Sequence, residues 1–120
     1  MENRPFFQTK IDELVGRELA SVVFVRDYLQ FCFDGPSLTA LIPPVFMTAT
    51  GAVLPGSTGW RDGLCSAIGI PVASVRFTDK EELCIEFVNS SRIVIPLREQ
   101  DYIGPEAINY FADDGTLVVF

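Results

Sequence analysis

The chain has 120 residues, enough to close one hydrophobic core without disulfide or metal staples, and 48% of them are apolar at a mean hydropathy of +0.29. That is more apolar character than a domain of this size needs, so either the core is generous or some apolar surface meets another subunit. A formal charge of −7 with no cluster of Lys or Arg argues against nucleic acid as a partner and leaves a basic protein surface open.

There is no histidine, which removes the commonest general base near neutral pH and the commonest metal ligand. Cys32, Cys65 and Cys84 are an odd number without close spacing, so they are expected as reduced thiols, with no metal, cofactor or disulfide. Gly, Pro and polar residues break every apolar run before the roughly 18 to 20 residues of a membrane span. Residues 1–5 lack the basic start and cleavage site of a secretory signal, so a cytoplasmic protein with no membrane contact is expected.

In chain order, residues 1–8 are expected as an arm, with Phe6 and Phe7 able to dock on the core. Thr9 can cap a short helix over 10–15, closed by Gly16. The run 19–26 is β-branched and aromatic, and 28–34 alternates, with Leu29, Phe31 and Phe33 on one face and Gln30, Cys32 and Asp34 on the other. Turn chemistry at 34–37 leads to a third strand over 38–42, ended by Pro43 and Pro44. These strands predict an antiparallel meander. Residues 44–59 are rich in Gly, Pro and small residues and are expected as a long connection, with a strand at 45–48 and a role either as a crossover or as an arm to a partner or ligand.

A second helix is expected over 60–68, with Trp60, Leu64, Cys65 and Ile68 on one stripe and Gly69 at its end. Trp60 reads as a core anchor. Strands over 72–78, 83–88 and 92–96 follow. In the middle one Leu83, Ile85 and Phe87 face opposite to Cys84 and Glu86.

The landmarks of the first half recur in the second. Gly16 and Pro43 become Gly69 and Pro96, each pair 53 residues apart (69 − 16 and 96 − 43). The expected fold is therefore α+β and mostly antiparallel β, one domain over 1–120 built by duplication of a helix plus a three-stranded meander. The repeats are placed at about 9–43 and 60–96, with the connection 44–59 between them. The two would pack as a small sandwich or a partly open barrel. Pro105 and Glu106 suit the start of a C-terminal helix with Ala107, Ile108 and Phe111 as its packed stripe, followed by a last strand over 116–120 that is tucked into a sheet.

The motif Gly59-Trp60-Arg61-Asp62-Gly63-Leu64-Cys65 with Ile68-Gly69, and later Gly104-Pro105-Glu106-Ala107, resembles a family of small uncharacterised bacterial proteins that carry a similar Gly-Trp-Arg-Asp helix and a closing Gly-Pro-Glu-Ala segment. The resemblance covers about 59–120 and implies a bacterial cytoplasmic protein without an assigned activity. Ile103 stands where that family's motif has Arg. Immunity partners of toxins share this size and build, as an association and not as a match of residues.

No glycine-rich loop has phosphate-binding order, and no serine sits in a nucleophile elbow. Arg61, Asp62, Arg98, Tyr102 and Glu106 are the candidate binding residues, as a polar cluster between the repeats. The competing reading makes the arginines surface ion-pair partners and Glu106 a favourable charge in a helix's first turn. The expected function is a non-enzymatic protein-interaction module that self-associates, of immunity type among the options. The alternative is a small-molecule-binding protein or weak enzyme with a polar cleft between the repeats.

Overall fold

The computed structural model describes residues 4–120. Helix α1 spans Arg4–Ile11 and runs on into a single 3₁₀ turn at Asp12–Leu14. Strands β1 (Ser21–Val25), β2 (Tyr28–Cys32) and β3 (Ser37–Ala40) form a meander, followed by a hairpin of β4 (Val45–Thr48) and β5 (Gly51–Val53). Helix α2 (Trp60–Ser66) opens the second half. A meander of β6 (Val72–Thr78), β7 (Glu82–Phe87) and β8 (Arg92–Pro96) follows, and then a hairpin of β9 (Ile108–Phe111) and β10 (Leu117–Val119).

The ten strands make two antiparallel five-stranded sheets, ordered β1-β2-β3-β9-β10 and β5-β4-β8-β7-β6. Each sheet takes its meander from one half of the chain and its hairpin from the other. The helices interlock in the same way, α1 lying on β6 and α2 on β1 and β4. Gly16 N donates to Val72 O at 2.8 Å, and Gly69 N donates to Leu19 O at 2.7 Å. Both glycines hold φ near +87° (88° and 86°), a conformation that costs a side chain with a Cβ dearly and glycine little.

Alternation along the strands builds the core. In the first sheet Val22, Phe31, Leu38, Tyr110 and Val118 form one inward row across all five strands. In the second, Phe46, Ile93, Ile85 and Val75 do the same. Both rows belong to one continuous cluster, in which each large side chain contributes about 1.5–3 kcal/mol by leaving water.

Aromatic rings join the two sheets at α1. Phe7 is fully buried, edge-on to Phe77 at 4.9 Å and to Tyr110 at 6.1 Å, and tilted against Phe120 at 4.6 Å. The next residue protects a sheet edge. Gln8 Nε2 donates to Val75 O at 3.0 Å and Phe77 N donates to Gln8 Oε1 at 2.8 Å, so the outer edge of β6 is capped by a side-chain amide. At α2, Trp60 Nε1 donates to Pro44 O at 2.9 Å while its ring meets Phe24 at 6.1 Å. Gly63 lies so close to Phe46 that a Cβ there would stand 2.7 Å from the ring, so this helix docks only with glycine at that position.

Three expectations need correction. The first helix starts at Arg4, not at residue 10, because Phe7 and Ile11 are both fully buried and give the chain a reason to coil earlier; residues 1–3 of the expected arm lie outside the described residues. In the stretch 44–59 the expected strand at 45–48 forms as β4, but it is no mere crossover, since β5 pairs with β4 as a hairpin and β4 joins β8. The C-terminal helix does not form. Residues 108–111 are instead a strand on β3, with Ile108 and Tyr110 inward, and Leu41 N bonds Ala107 O at 2.8 Å. There the open edge of β3 offers backbone partners that outweigh a favourable helix start. Of the two packings expected, the small sandwich fits and the partly open barrel does not, since the two sheets are separate five-stranded units around one buried cluster.

Candidate interaction surface and the cleft beside it

The five candidate residues fall in four places. Arg61 lies in the first turn of α2, its guanidinium 5.7 Å from the Phe24 ring centroid, with exposed Asp62 beside it. It lines a cavity of about 410 Å³ between the β1–β2 turn, Pro43, Trp60 and Ile103. Glu106 lines a smaller hollow with Asp27, Leu41 and Ile103, and Tyr102 a third with Lys80 and Leu97. These three hollows adjoin, since Ile103 borders the first two and Gly104 and Pro105 border the last two. Burial, and then the charge of Asp79, push the Tyr102 phenol up.

Arg98 lies elsewhere, in a depression on the outer side of the second sheet with Met47, Arg76 and Val94. Its Nε donates to Asp101 Oδ2 at 3.0 Å, its Nη2 to Oδ1 at 3.3 Å, and its backbone N to Oδ2 at 3.1 Å. This chelated pair holds the Asp101 carboxyl below its usual range and raises the guanidinium. Arg98 thus has the ion-pair role, fixing the turn after β8, while Arg61, Glu106 and Tyr102 share a run of hollows.

The chemistry in those hollows suits binding. Apolar walls from Phe24, Trp60 and Leu29 surround the arginine, and no group of three His, Cys, Asp or Glu side chains that could hold a metal occurs among the described residues. The thiols are scattered, Cys65 exposed on α2 and Cys32 and Cys84 half-buried on different sheets. Burial, and then Glu82, push the Cys84 thiol up, which keeps it protonated and unreactive at neutral pH.

A surface that sequence reasoning passed over is more distinctive. None of the residues in β1, β2, β3, β9 and β10 is charged, so the outer face of the first sheet is neutral throughout. Val23, Val25, Phe111, Leu117 and Val119 are all exposed there, Phe111 at 45% and Leu117 at 50%. Between them stand Gln30, Cys32, Ser37, Thr39 and Asn109, with Gln30 Nε2 donating to Thr39 Oγ1 at 3.4 Å.

Charge returns only past the strand ends. Asp113 and Asp114, in the β9–β10 turn, are held by Arg17 at 3.1 Å and Lys10 at 2.6 Å. At the other end the Asn109 amide, turned so that its nitrogen donates, reaches Glu106 Oε1 at 3.3 Å. The cue in the sequence was the lack of Asp, Glu, Lys and Arg in 21–25, 28–32 and 117–119, while the part played by 108–111 emerges only from its pairing with β3.

No helix among the described residues is long and apolar enough to cross a membrane. Comparison of the chain with protein-family models, with curated proteins and with solved structures finds no match, which leaves geometry to carry the functional reading.

Proposed function

We propose that this chain is a non-enzymatic protein-interaction module that self-associates through the outer face of its first sheet. The observation that supports it is the neutrality of that face on a chain of net charge −7. Exposed apolar side chains clustered on one face mark contact surfaces, and burying them against another copy desolvates no charge. The same reading accounts for the high apolar fraction. The repeated order of helix, meander and hairpin, with the reciprocal bonds of Gly16 and Gly69, supports the further reading that the module arose by duplication of one unit.

Sedimentation across a dilution series tests this. The wild type is expected to be a dimer that dissociates on dilution, and Leu117→Lys a monomer with an unchanged circular dichroism spectrum. A wild-type monomer at every concentration overturns the reading.

The cavity at Arg61 supports a second reading, a small ligand with an apolar body and an acidic group held over Phe24 and Trp60. Binding of such compounds is expected to raise the melting temperature of the wild type and not that of Arg61→Ala.

A further inference from the structure

The outer face of the first sheet has an internal order that a two-fold axis would match. β3 is the middle strand, with β2 and β1 on one side and β9 and β10 on the other. Strand pairing sets two outward rows across it. One is Ser21, Cys32, Ser37, Phe111 and Leu117, and the other is Val23, Gln30, Thr39, Asn109 and Val119. Three of the four flank positions are apolar, Val23, Leu117 and Val119, with Ser21 at the fourth, and hydroxyls and amides hold most of the middle.

We propose that two copies of this chain pack these faces together about a two-fold axis running along β3, an inference that rests on the self-association reading above. Rotation about that axis keeps each row in place and reverses its order. Val23 of one copy then opposes Val119 of the other, apolar on apolar. Gln30 opposes Asn109, so two amides meet, each with donors and acceptors to offer. Cys32 opposes Phe111, while Ser37 and Thr39 each face their own counterpart. Two chains of charge −7 are joined without setting charged strand residues against each other.

The other two-fold choice, with its axis across the strands, is poorer. It sets β10 on β10 and β9 on β9, which lays Phe111 over Asn109 and leaves an amide against a ring. Face-packed sheets lie about 10 Å apart with strand directions within about 30° of each other, so pairs nearest the axis keep register best. Long side chains at the flanks can still reach across the offset.

The second sheet does not offer the same surface. Its outer face carries Arg76, Glu82, Glu86 and Arg92, with Arg92 Nε 3.7 Å from Glu86 Oε1, and these charges would have to be desolvated in a like contact.

Charge complementation reads the pairing directly. Val23→Glu and Val119→Lys, both at exposed edge-strand positions, are each expected to weaken association about a hundredfold, because a lone charge is buried against valine. An equimolar mixture of the two is expected to regain the dimer, since one flank contact then joins acid to base and the other remains Val on Val. A mixture of Val23→Glu with Val23→Lys is expected to stay monomeric, because position 23 does not face itself. Recovery in that second mixture, or none in the first, overturns the axis along β3 while a dimeric wild type leaves self-association standing. A monomeric wild type overturns both.

If either variant fails to fold, a cross-link decides. In a chain with its cysteines replaced by serine, Ser37→Cys is expected to form an interchain disulfide on mild oxidation, because a residue on the axis meets its own copy. Absence of that cross-link overturns the pairing, as does an equal yield from Arg92→Cys on the second sheet.

Discussion

The outer faces of the two sheets have the same strand count and opposite character. On the second sheet Arg76, Glu82, Glu86 and Arg92 face outward, Glu86 pairs with Arg92, and the edge at β6 is closed by the Gln8 amide. On the first sheet the strands are neutral, and exposed Val, Leu and Phe side chains stand on β1, β9 and β10. The two sides of one core therefore carry different surfaces, charged on one and neutral with exposed apolar side chains on the other. One sheet is finished against water, with charges and a capped edge that discourage edge-to-edge pairing. The other, on the proposed reading, meets a second copy.

Both sheets share one buried cluster, and the largest expected effect tests that. Phe7→Ala removes the ring that touches Phe77, Tyr110 and Phe120, and should cost about 3–5 kcal/mol in denaturant unfolding, with both sheets melting together. Separate transitions would break the single-core picture.

Next is Tyr110, whose hydroxyl donates to Glu13 Oε2 beneath the first sheet. Burial first, and then the Glu13 bond, push this phenol far above its ordinary value. A raised native pKa contributes stability that is present below the unfolded phenol's pKa of about 10 and is lost as pH rises beyond it. Alkaline titration of stability should therefore show a fall above about pH 10 that Tyr110→Phe reduces, the variant itself costing about 1–3 kcal/mol at neutral pH. An unchanged alkaline limb would contradict the assignment.

A smaller effect is expected at the capped edge. Gln8→Ala should cost about 1 kcal/mol and, by opening Val75 O and Phe77 N, raise the rate of aggregation seen by light scattering. Arg92→Ala, on the water-facing side, should change stability by less than about 1 kcal/mol, since both partners of its ion pair are well exposed. At the acid end, Asp101 and Asp114 both have lowered carboxyl pKa values from their Arg98 and Lys10 partners, so their contribution is present above about pH 4 and fades as pH falls further.

Local pattern carried most of the strands. Alternation at Leu29, Phe31 and Phe33, and at Leu83, Ile85 and Phe87, reads directly as one buried face, and every one of these residues is buried. Residues 105–111 misled because Ala107, Ile108 and Phe111 suit a helical stripe while Ile108 and Tyr110 suit a strand equally well. Pairing with β3, some seventy residues away in sequence, settles the choice (108 − 40 = 68). The hairpin strand β5 has only Gly51, Ala52 and Val53 to show, and its existence depends on β4 having β8 beside it.

The candidate residues were legible as polar groups near Gly and Pro, but not as separate ones. Arg98 is held by Asp101 three residues on, whereas Arg61 reaches Phe24 across the fold. The neutral face was legible only as an absence of charge. Which alternate residues look outward together depends on joining β3 to β9, a contact that no local spacing encodes.

The most direct test sets one substitution against the same one on the opposite sheet. Phe111→Lys on the first sheet and Val94→Lys on the second are compared with the wild type by sedimentation equilibrium over a wide range of concentration. The account predicts a wild-type dimer, an undiminished dimer for Val94→Lys, and a folded monomer for Phe111→Lys. Equal behaviour of the two variants, or a wild type that never associates, would contradict it.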